Sequence, residues 1–259
     1  MPDLDCEKIT NHIIEWLNDY ISTIPMKGFV VGLSGGIDSA LVAALCVRTG
    51  KDVVLLNMPI RQASSEYDRA QNQISSFENI FSNAKGVEVD LTSTFDAFVE
   101  AMPSKTGVNK LAMANSRARL RMTTLYAIGQ ANNLLVVGTG NKIEDFGIGF
   151  FTKYGDGGVD LNPIGDLLKS EVFRLAKHLD VNEEILEAKP TDGLWGDERN
   201  DEDQIGATYD ELEFAMSYNG DRKDLSDRQK QVLDIYTRLN SINQHKMKPI
   251  PFCDLSKVR

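Results

Sequence analysis

Hydrophobic positions follow two alternating patterns over the first 140 residues. Ile9, Ile13, Leu17 and Ile21 recur every four positions, and this spacing predicts an amphipathic helix over residues 5–24. Short apolar runs bounded by glycine, proline or polar residues predict buried strands. The strands are expected at 28–34, 52–59, 86–91 and 134–140, and the helices that separate them at 38–49, 65–79 and 109–132.

The regular alternation of strands and helices predicts an α/β fold with a Rossmann-like, doubly wound parallel sheet, in a single domain over residues 1–259. Ligands of such sheets bind beyond the carboxyl ends of the strands. Three polar segments follow predicted strands: GLSGGIDS (32–39), NMP (57–59) and GTGNKIED (138–145). Because parallel strands end at one edge of the sheet, these segments predict a ligand site there.

Beyond the fourth strand the periodicity weakens. Residues 149–163 are rich in glycine and predict a loop, whereas residues 167–179 predict a helix with one apolar face. Residues 190–206 combine high charge with no periodicity, which predicts a mobile loop that closes over a ligand as a lid. A last helix is expected at 225–243, with these residues buried: Val232, Tyr236, Leu239 and Ile242.

Composition narrows the function classes. The chain has 28 basic and 38 acidic residues, a net charge of −10, and thirteen of the acidic residues fall between positions 180 and 213. Surfaces that bind nucleic-acid phosphates are usually basic, so no nucleic-acid partner is expected. The three cysteines are dispersed and form no CxxC pair, and the acidic start does not resemble a signal peptide. No apolar run approaches the length of a membrane helix, about 18 residues. These features indicate a cytoplasmic protein with no membrane partner.

The strongest chemical signal is the segment Ser34–Ser39, SGGIDS, which follows the first strand and opens a helix. Its two glycines bring backbone N–H groups close to a ligand, and the helix N-terminus adds to an anion site. Asp38 beside phosphates implies a divalent cation between them. The alternative is an ordinary strand-to-helix turn in which Asp38 is a helix-end charge. The segment lacks the GxxxxGK[ST] of a Walker A loop, and Ile143 stands where a GxGxxG fingerprint needs its third glycine.

SGGIDS resembles the PP-loop of ATP pyrophosphatases, which cleave ATP to AMP and pyrophosphate while activating a carboxylate, carbonyl or amide oxygen. Further stretches resemble, in chain order, the motifs of ammonia-dependent NAD synthetases, and the resemblance covers residues 10–253. The stretches are NSRARLRM (115–122), VGTGNKIE (137–144), FFTKYGDGGVDLNP (150–163), LLKSEV (167–172), KPTDGLW (189–195) and QHKMKPIPF (244–252). The resemblance implies an α/β fold of the adenine-nucleotide α-hydrolase type.

The resemblance also implies roles for individual residues. The ATP-binding residues would be Gly32, Leu33, Ser34, Gly35, Gly36, Ile37, Asp38, Ser39, Thr139, Lys169 and Thr191. The residues that bind deamido-NAD would be Arg119, Lys153, Asp160, His245 and Lys246. Asp38 and Glu144 would hold Mg²⁺. Between Glu144 and Lys153 the chain has one residue more than some family members, which leaves the geometry of residues 145–149 open.

Several of these residues also have simpler interpretations. Lys169 lies in the first turn of a predicted helix, where the helix dipole disfavours a cation unless a phosphate binds, so it is expected to neutralise phosphate charge. Asp156 is predicted to attract ammonium and accept its proton, although an Asp-Gly turn is the simpler interpretation. Of three arginines on one helix, the resemblance assigns Arg119 to the substrate, whereas Arg117 and Arg121 are expected to pair with surface acids.

The implied enzyme is an amide-forming ligase that converts deamido-NAD, ATP and ammonia into NAD, AMP and pyrophosphate through an acyl-adenylate, the last step of NAD biosynthesis. Asp38, Lys169 and Asp156 are its expected catalytic residues. The family is homodimeric, so a homodimer is expected, and free ammonia or a separate glutaminase would supply the nitrogen. The alternatives are another PP-loop enzyme, such as a tRNA-modifying or GMP-forming ligase, and a non-catalytic ATP-binding regulator.

Overall fold

The computed structural model describes residues 4–188, 200–256 and 258. The strands in these ranges are β1 (Gly28–Gly32), β2 (Asp52–Asn57), β3 (Ala84–Glu88) and β4 (Leu134–Val136). They pair in parallel in the order β3–β2–β1–β4. The order reverses beside β1, and such a reversal opens a crevice at the carboxyl ends of the strands. The prediction of a doubly wound parallel sheet is confirmed.

Helices cover both faces of this sheet. The described helices are α1 (Cys6–Ser22), α2 (Ile37–Val47), α3 (Ser64–Ile80), α4 (Thr92–Ala101), α5 (Ser104–Gly107), α6 (Lys110–Asn132), α7 (Lys169–His178), α8 (Glu183–Leu186), α9 (Asp201–Ile205), α10 (Tyr209–Ser217) and α11 (Asp227–Met247). A π-helix at Lys142–Ile148 and a 3₁₀ turn at Arg222–Asp224 lie between them. Among the residues described, we find no helix that is both long and apolar enough to span a bilayer.

Neighbouring residues of β1 point to opposite faces of the sheet and enter different hydrophobic layers. Phe29 and Val31 pack with residues of α1, α2 and α7, whereas Val30 packs with Leu56 of β2 and Leu125 of α6. Each of these side chains is buried. A strand covered by helices on both faces is apolar along its whole length, and for this reason the run at 28–31 predicts β1 well.

A smaller hydrophobic cluster joins the π-helix to α10 and α11. Its buried members are Ile143, Ile148, Ile205, Ala207, Tyr209, Leu212, Ala215 and Val232. Tyr236 and Leu239 are partly buried against it. The predicted burial of Ile242 is wrong, because this side chain is 57% exposed. The described part of the cluster extends along α11 only as far as Leu239, whereas the helix continues to Met247.

The π-helix occupies the stretch whose geometry the sequence left open. Asn141 Oδ1 accepts the N–H groups of Ile143 and Glu144 at its start, both at 3.1 Å. Gly149, with a φ of +63°, ends it. A π-helix closes wider turns than an α-helix, so it absorbs an extra residue without an external loop. This accounts physically for the additional residue between Glu144 and Lys153.

Other stretches also differ from the predicted elements. β3 lies at 84–88 rather than 86–91, because it is a half-exposed edge strand with little apolar pattern. The sequence pattern does not predict α4. Residues 200–206 of the predicted mobile loop contain α9, which begins where Asn200 Oδ1 accepts the N–H of Asp203 at 2.8 Å. Residues 189–199, which include the rest of that loop, lie outside the described part of the chain.

Candidate active site

The segment Ser34–Ser39, here called the phosphate cradle, joins β1 to α2 at the crevice. Its turn is tight because Gly35 has a φ of +83°. Ser39 Oγ accepts the N–H of Ser34 at 3.2 Å and donates to the carbonyl of Gly36 at 2.9 Å. The N–H groups in the first turn of α2 have no acceptor within the helix. The phosphate cradle can therefore bind an anion through backbone donors and the helix dipole.

Replacing Gly35 with alanine is expected to weaken ATP binding at least tenfold. The new Cβ would lie 2.4 Å from the carbonyl oxygen of Glu66, a backbone atom, in a conformation that side chains rarely adopt. We expect a loss of about 1–3 kcal/mol in the free energy of unfolding. Gly50 is the matched control, since its φ is +74° and a Cβ there would have no neighbour within 4 Å. Equal ATP affinity in both variants, measured by calorimetry, would contradict the prediction.

A buried cation lies between two carboxylates at the crevice. Lys169 Nζ is 2.5 Å from Asp38 Oδ2 and 3.1 Å from Glu144 Oε1. The Lys169 side chain is only 3% exposed. The three residues come from the phosphate cradle, the π-helix and the first turn of α7, so the fold brings together groups that are far apart in sequence. We call them the Asp38–Lys169–Glu144 cluster.

Two residues that the sequence analysis did not single out orient this cluster. Asn141 Nδ2 donates to Asp38 Oδ1 at 3.0 Å, and the Tyr209 hydroxyl donates to Glu144 Oε1 at 2.5 Å. Lys169 Nζ also lies 4.7 Å from the centre of the Tyr209 ring, within cation–π range. Asn141 falls inside the GTGNKIED segment, but Tyr209 carries no local sequence signal for such a role.

The charges of the cluster follow from burial and mutual attraction. Burial and the neighbouring Glu144 raise the pKa of Asp38, against the opposing effect of Lys169. Burial acts in the same direction on Glu144, but Lys169 and the hydrogen bond from Tyr209 outweigh it and lower the pKa of Glu144. Burial alone would lower the pKa of Lys169, yet the two carboxylates raise it. Lys169 therefore stays an ammonium ion at neutral pH.

The donor set of this cluster fits Mg²⁺. Asp38 and Glu144 converge on one position, which the ammonium of Lys169 occupies between the two carboxylates. Mg²⁺ in nucleotide sites commonly takes one or two carboxylates and completes its shell with water and phosphate oxygens. Within the described residues no group of three or more His, Cys, Asp or Glu side chains could hold a metal ion.

A cavity of about 490 Å³ brings most of the predicted ATP-binding residues together. Those that line it are Gly32, Leu33, Ser34, Gly35, Gly36, Ile37, Asp38, Ser39, Thr139 and Lys169. Glu144, Asp156 and Lys246 line the same cavity. Thr191 lies outside the described part of the chain. Both carboxylates of the cluster and the predicted ammonium-binding residue therefore share one cavity with the phosphate cradle.

Asp156 faces this cavity from the glycine-rich loop. Its Oδ1 accepts the N–H of Thr152 at 3.0 Å. Desolvation by the surrounding protein raises the pKa of Asp156 to about 6, and the backbone hydrogen bond from Thr152 only partly opposes this effect. Asp156 is exposed to water in the open cavity, which weakens the shift, and a bound substrate would restore it by displacing that water. Lys246 also faces the cavity, and its Nζ donates to the Gly149 and Phe151 carbonyls.

Three predicted substrate-binding residues form a chain of contacts outside the lining of that cavity. Arg119 Nε donates to the carbonyl of Lys153 at 3.2 Å, and Lys153 Nζ donates to the carbonyl of His245 at 2.6 Å. Arg119 and His245 are exposed. These residues lie together, as common substrate contacts require, although none of the three lines the cavity of the phosphate cradle.

Asp160, the remaining predicted substrate-binding residue, has a structural role in this conformation. Its Oδ2 accepts the N–H of Val136 in β4 at 2.8 Å, and its Oδ1 accepts the hydroxyl of Tyr126 at 2.9 Å. Burial and the Asp160 contact raise the pKa of Tyr126 to about 12, so the hydroxyl remains a donor. The Asp160 carboxylate thus fixes the end of β4 against α6.

The prediction that Arg121 pairs with a surface acid is wrong. Its Nε donates to the carbonyl of Met58 at 3.0 Å, and it lines the cavity. Within the described part of the chain it forms no ion pair. Arg117 lies over the ring of Phe95, with its Cζ 5.9 Å from the ring centre. The spacing of residues along a helix gives the directions of their side chains relative to one another. It does not tell which of those directions faces the sheet.

The crevice beside β1, the phosphate cradle and the Asp38–Lys169–Glu144 cluster define a nucleotide-binding protein of the α/β class. Residues 9–250 match the sequence model of a family described as NAD synthase. The chain belongs to the NAD synthase family. The predicted family and fold class are thereby confirmed.

Individual relatives agree with this assignment. An NH(3)-dependent NAD(+) synthetase from Mesoplasma florum is 38% identical over 94% of this chain and 95% of its own length. A solved structure of an NMN synthetase from Francisella tularensis is 32% identical, with a TM-score of 0.87 over 97% of this chain and 100% of the other. An NH3-dependent NAD synthetase from Campylobacter jejuni is 28% identical, with a TM-score of 0.78 over the same shares. The predicted ligase class is confirmed, and the alternative PP-loop functions are not favoured.

Proposed function

We propose that this protein amidates the nicotinate carboxylate of deamido-NAD with ammonia and splits ATP into AMP and pyrophosphate. The observation that carries the proposal is the shared cavity: the phosphate cradle, the Asp38–Lys169–Glu144 cluster and Asp156 all line it. An anion site, a fixed cation and a carboxylate are the groups that adenylation followed by ammonia attack requires.

In the first step, a nicotinate carboxylate oxygen attacks the α-phosphorus of ATP, and the bond to the bridging oxygen of pyrophosphate breaks. The backbone donors of the phosphate cradle and the N-terminus of α2 take up charge on the departing pyrophosphate. Lys169 neutralises further charge at the phosphates. Asp38 and Glu144 would hold Mg²⁺, which supplies Lewis-acid stabilisation of phosphate oxygens when bound. The product is an acyl-adenylate.

In the second step, ammonia attacks the acyl carbon and AMP leaves. Ammonium is the abundant form near neutral pH, so a carboxylate that attracts the cation and accepts a proton assists the attack. Asp156 fills this role, since it faces the cavity from a glycine-rich loop that permits close approach. Its raised pKa makes it a better base than an ordinary aspartate.

The pH profile tests the role of Asp156. Only the ionised carboxylate attracts ammonium, so kcat/KM for ammonium should fall about tenfold per unit as the pH drops below about 6. Asp156→Asn should lower kcat/KM and remove this acidic limb. Asp166→Asn changes an exposed carboxylate, whose side chain is 96% exposed, and should keep the parental profile. An unchanged acidic limb in Asp156→Asn would refute the assignment.

The reaction itself is tested with purified protein, ATP, Mg²⁺, ammonium and deamido-NAD. Chromatography should detect NAD and AMP in equal amounts. With ATP labelled at the γ-phosphorus, the label should appear in pyrophosphate. Label released as orthophosphate in a pyrophosphatase-free preparation would exclude the proposed cleavage.

A second candidate substrate is nicotinic acid mononucleotide, with NMN as the product. It is favoured by the likeness to the Francisella tularensis structure described as an NMN synthetase. Both substrates present the same nicotinate carboxylate, so the chemistry in the cavity is unchanged. The ratio of kcat/KM for deamido-NAD to that for the mononucleotide, measured in one preparation, decides between them.

We further propose a homodimer of single-domain subunits in the cytoplasm. The contacts between Arg119, Lys153 and His245 lie outside the cavity lining. A dinucleotide that binds these residues would therefore extend beyond the shared cavity. A second copy would cover such a ligand. The free thiols of Cys6, Cys46 and Cys253 suit a reducing compartment. Sedimentation analysis with and without deamido-NAD tests the dimer.

A further inference from the structure

Arg121 is a cavity-lining cation that the proposed steps above do not use. Its Nε donates a hydrogen bond to the carbonyl of Met58, and Met58 is the residue that follows β2. The other two guanidinium nitrogens have no acceptor among the described residues. Burial and the neighbouring Arg117 lower the pKa of Arg121 to about 10, which leaves it a cation at neutral pH. One end of the side chain is therefore fixed, while its charge remains available.

Each of the other cations of the described lining is either engaged or held at the phosphate cradle. Lys169 is bound by two carboxylates, and Lys246 Nζ donates to two backbone carbonyls. Arg69 Nε donates to the carbonyl of Gly35, which attaches Arg69 to the phosphate cradle. Arg121 differs because it lies on α6, away from the phosphate cradle in sequence and next to an apolar part of the lining. That part consists of Gly32, Met58, Ala118, Met122 and Leu125.

Arg121 lines the cavity together with residues of both halves of the proposed reaction. It is attracted by Glu66, whose carbonyl oxygen adjoins Gly35, and by Asp156. Gly35 belongs to the triphosphate side, and Asp156 to the ammonia side. The groups that meet between these sides are the α-phosphoryl group of ATP and the nicotinate carboxylate. Both are oxyanions.

We propose that the guanidinium of Arg121 binds a substrate oxyanion at the reacting centre, either the nicotinate carboxylate or the α-phosphoryl group. This proposal rests on the proposed function. A guanidinium matches both groups through two parallel N–H donors, and its Nε anchor reduces the freedom lost on binding. Arg121 thus draws together two substrates that repel each other through their negative charges.

The test combines direct binding with turnover in Arg121→Met and Arg121→Lys. Methionine keeps an apolar stem of similar length, and lysine keeps the charge without the fork. Calorimetry with α,β-methylene-ATP and, separately, with deamido-NAD measures binding without reaction. We expect Arg121→Met to weaken one of them about 10- to 100-fold, and Arg121→Lys to recover part of the loss. Weaker binding of deamido-NAD with unchanged binding of NAD, which carries an amide in place of the carboxylate, identifies the carboxylate, and weaker analogue binding identifies the ATP phosphates.

Arg48→Met is the matched control. The Arg48 guanidinium donates to the carbonyls of Ala44 and Leu179, and it does not line the cavity. This variant should melt at a lower temperature than the parent while binding both ligands normally. Arg121 variants are compared at a temperature where circular dichroism confirms the fold, so a structural defect is separated from lost contact.

Two results would overturn the proposal for Arg121. One is unchanged binding of both ligands together with turnover within about twofold of the parent. The other concerns Arg121→Ala: a loss of turnover with unchanged binding, which added guanidinium does not restore, would contradict the proposal. Restoration of turnover by guanidinium would support the contact. A parent protein that forms no NAD or NMN would instead refute the proposed function.

Discussion

Lys169→Met is expected to lower turnover by about a thousandfold or more and to destabilise the fold by about 3–5 kcal/mol. The lysine is nearly inaccessible and neutralises two carboxylates. Without it, Asp38 and Glu144 face each other as buried like charges. Urea denaturation and steady-state kinetics measure the two effects.

The loss of stability in Lys169→Met should depend on pH. Removal of the ammonium raises the pKa of the carboxylates above their unfolded values, so their ionised forms oppose folding at high pH. Protonation relieves this repulsion, and the deficit should therefore shrink as the pH falls. Mg²⁺ should also raise the melting temperature of this variant more than that of the parent, because the two carboxylates fit the ion.

Lys142→Met provides a control for Lys169→Met. Lys142 Nζ pairs with Asp166 Oδ1 at 2.8 Å, but the Asp166 side chain is 96% exposed. Exposed pairs contribute about 0–1 kcal/mol, so this variant should change little. If Lys169→Met were as stable as Lys142→Met at every pH, the Asp38–Lys169–Glu144 cluster would not be electrostatically important.

The sequence predicts the part of the site that is built locally. The phosphate cradle follows an apolar strand and precedes a helix, so strand, turn and helix are all encoded within residues 28–47. Glu144 is recognisable for a similar reason, because it follows β4 closely. Such local units need only the pattern of neighbouring residues and the conformational freedom of glycine.

Contacts between distant segments are what the sequence pattern does not predict. Tyr209 reaches Glu144 across 65 positions, and only the packing of α10 against the π-helix brings them together. Arg121 is mispredicted because α6 has no clear apolar face, so its spacing does not identify the side that meets the cavity. The π-helix also depends on a wider turn that hydrophobic periodicity does not encode.

Asp38→Asn is expected to abolish turnover with little change in stability, in contrast to Lys169→Met. The amide keeps the shape of the side chain, and its oxygen can accept the hydrogen bond from Lys169 Nζ, so only the hydrogen bond from Asn141 Nδ2 is lost. It leaves one carboxylate, Glu144, paired with Lys169, so the buried charges balance. Burial and Glu144 raise the pKa of Asp38, which indicates that its charge is held at a cost to the fold. We expect the free energy of unfolding to stay within about 1 kcal/mol of the parent.

The catalytic loss in Asp38→Asn should occur in the adenylation step. Exchange of labelled pyrophosphate into ATP in the presence of deamido-NAD measures this step without ammonia. We expect a fall of at least about a thousandfold, because the carboxylate that would hold Mg²⁺ beside the phosphates is gone. Asp166→Asn serves again as a control and should exchange normally. Normal exchange in Asp38→Asn would remove Asp38 from the reaction, whereas loss of exchange with intact stability would separate its chemical role from its structural one.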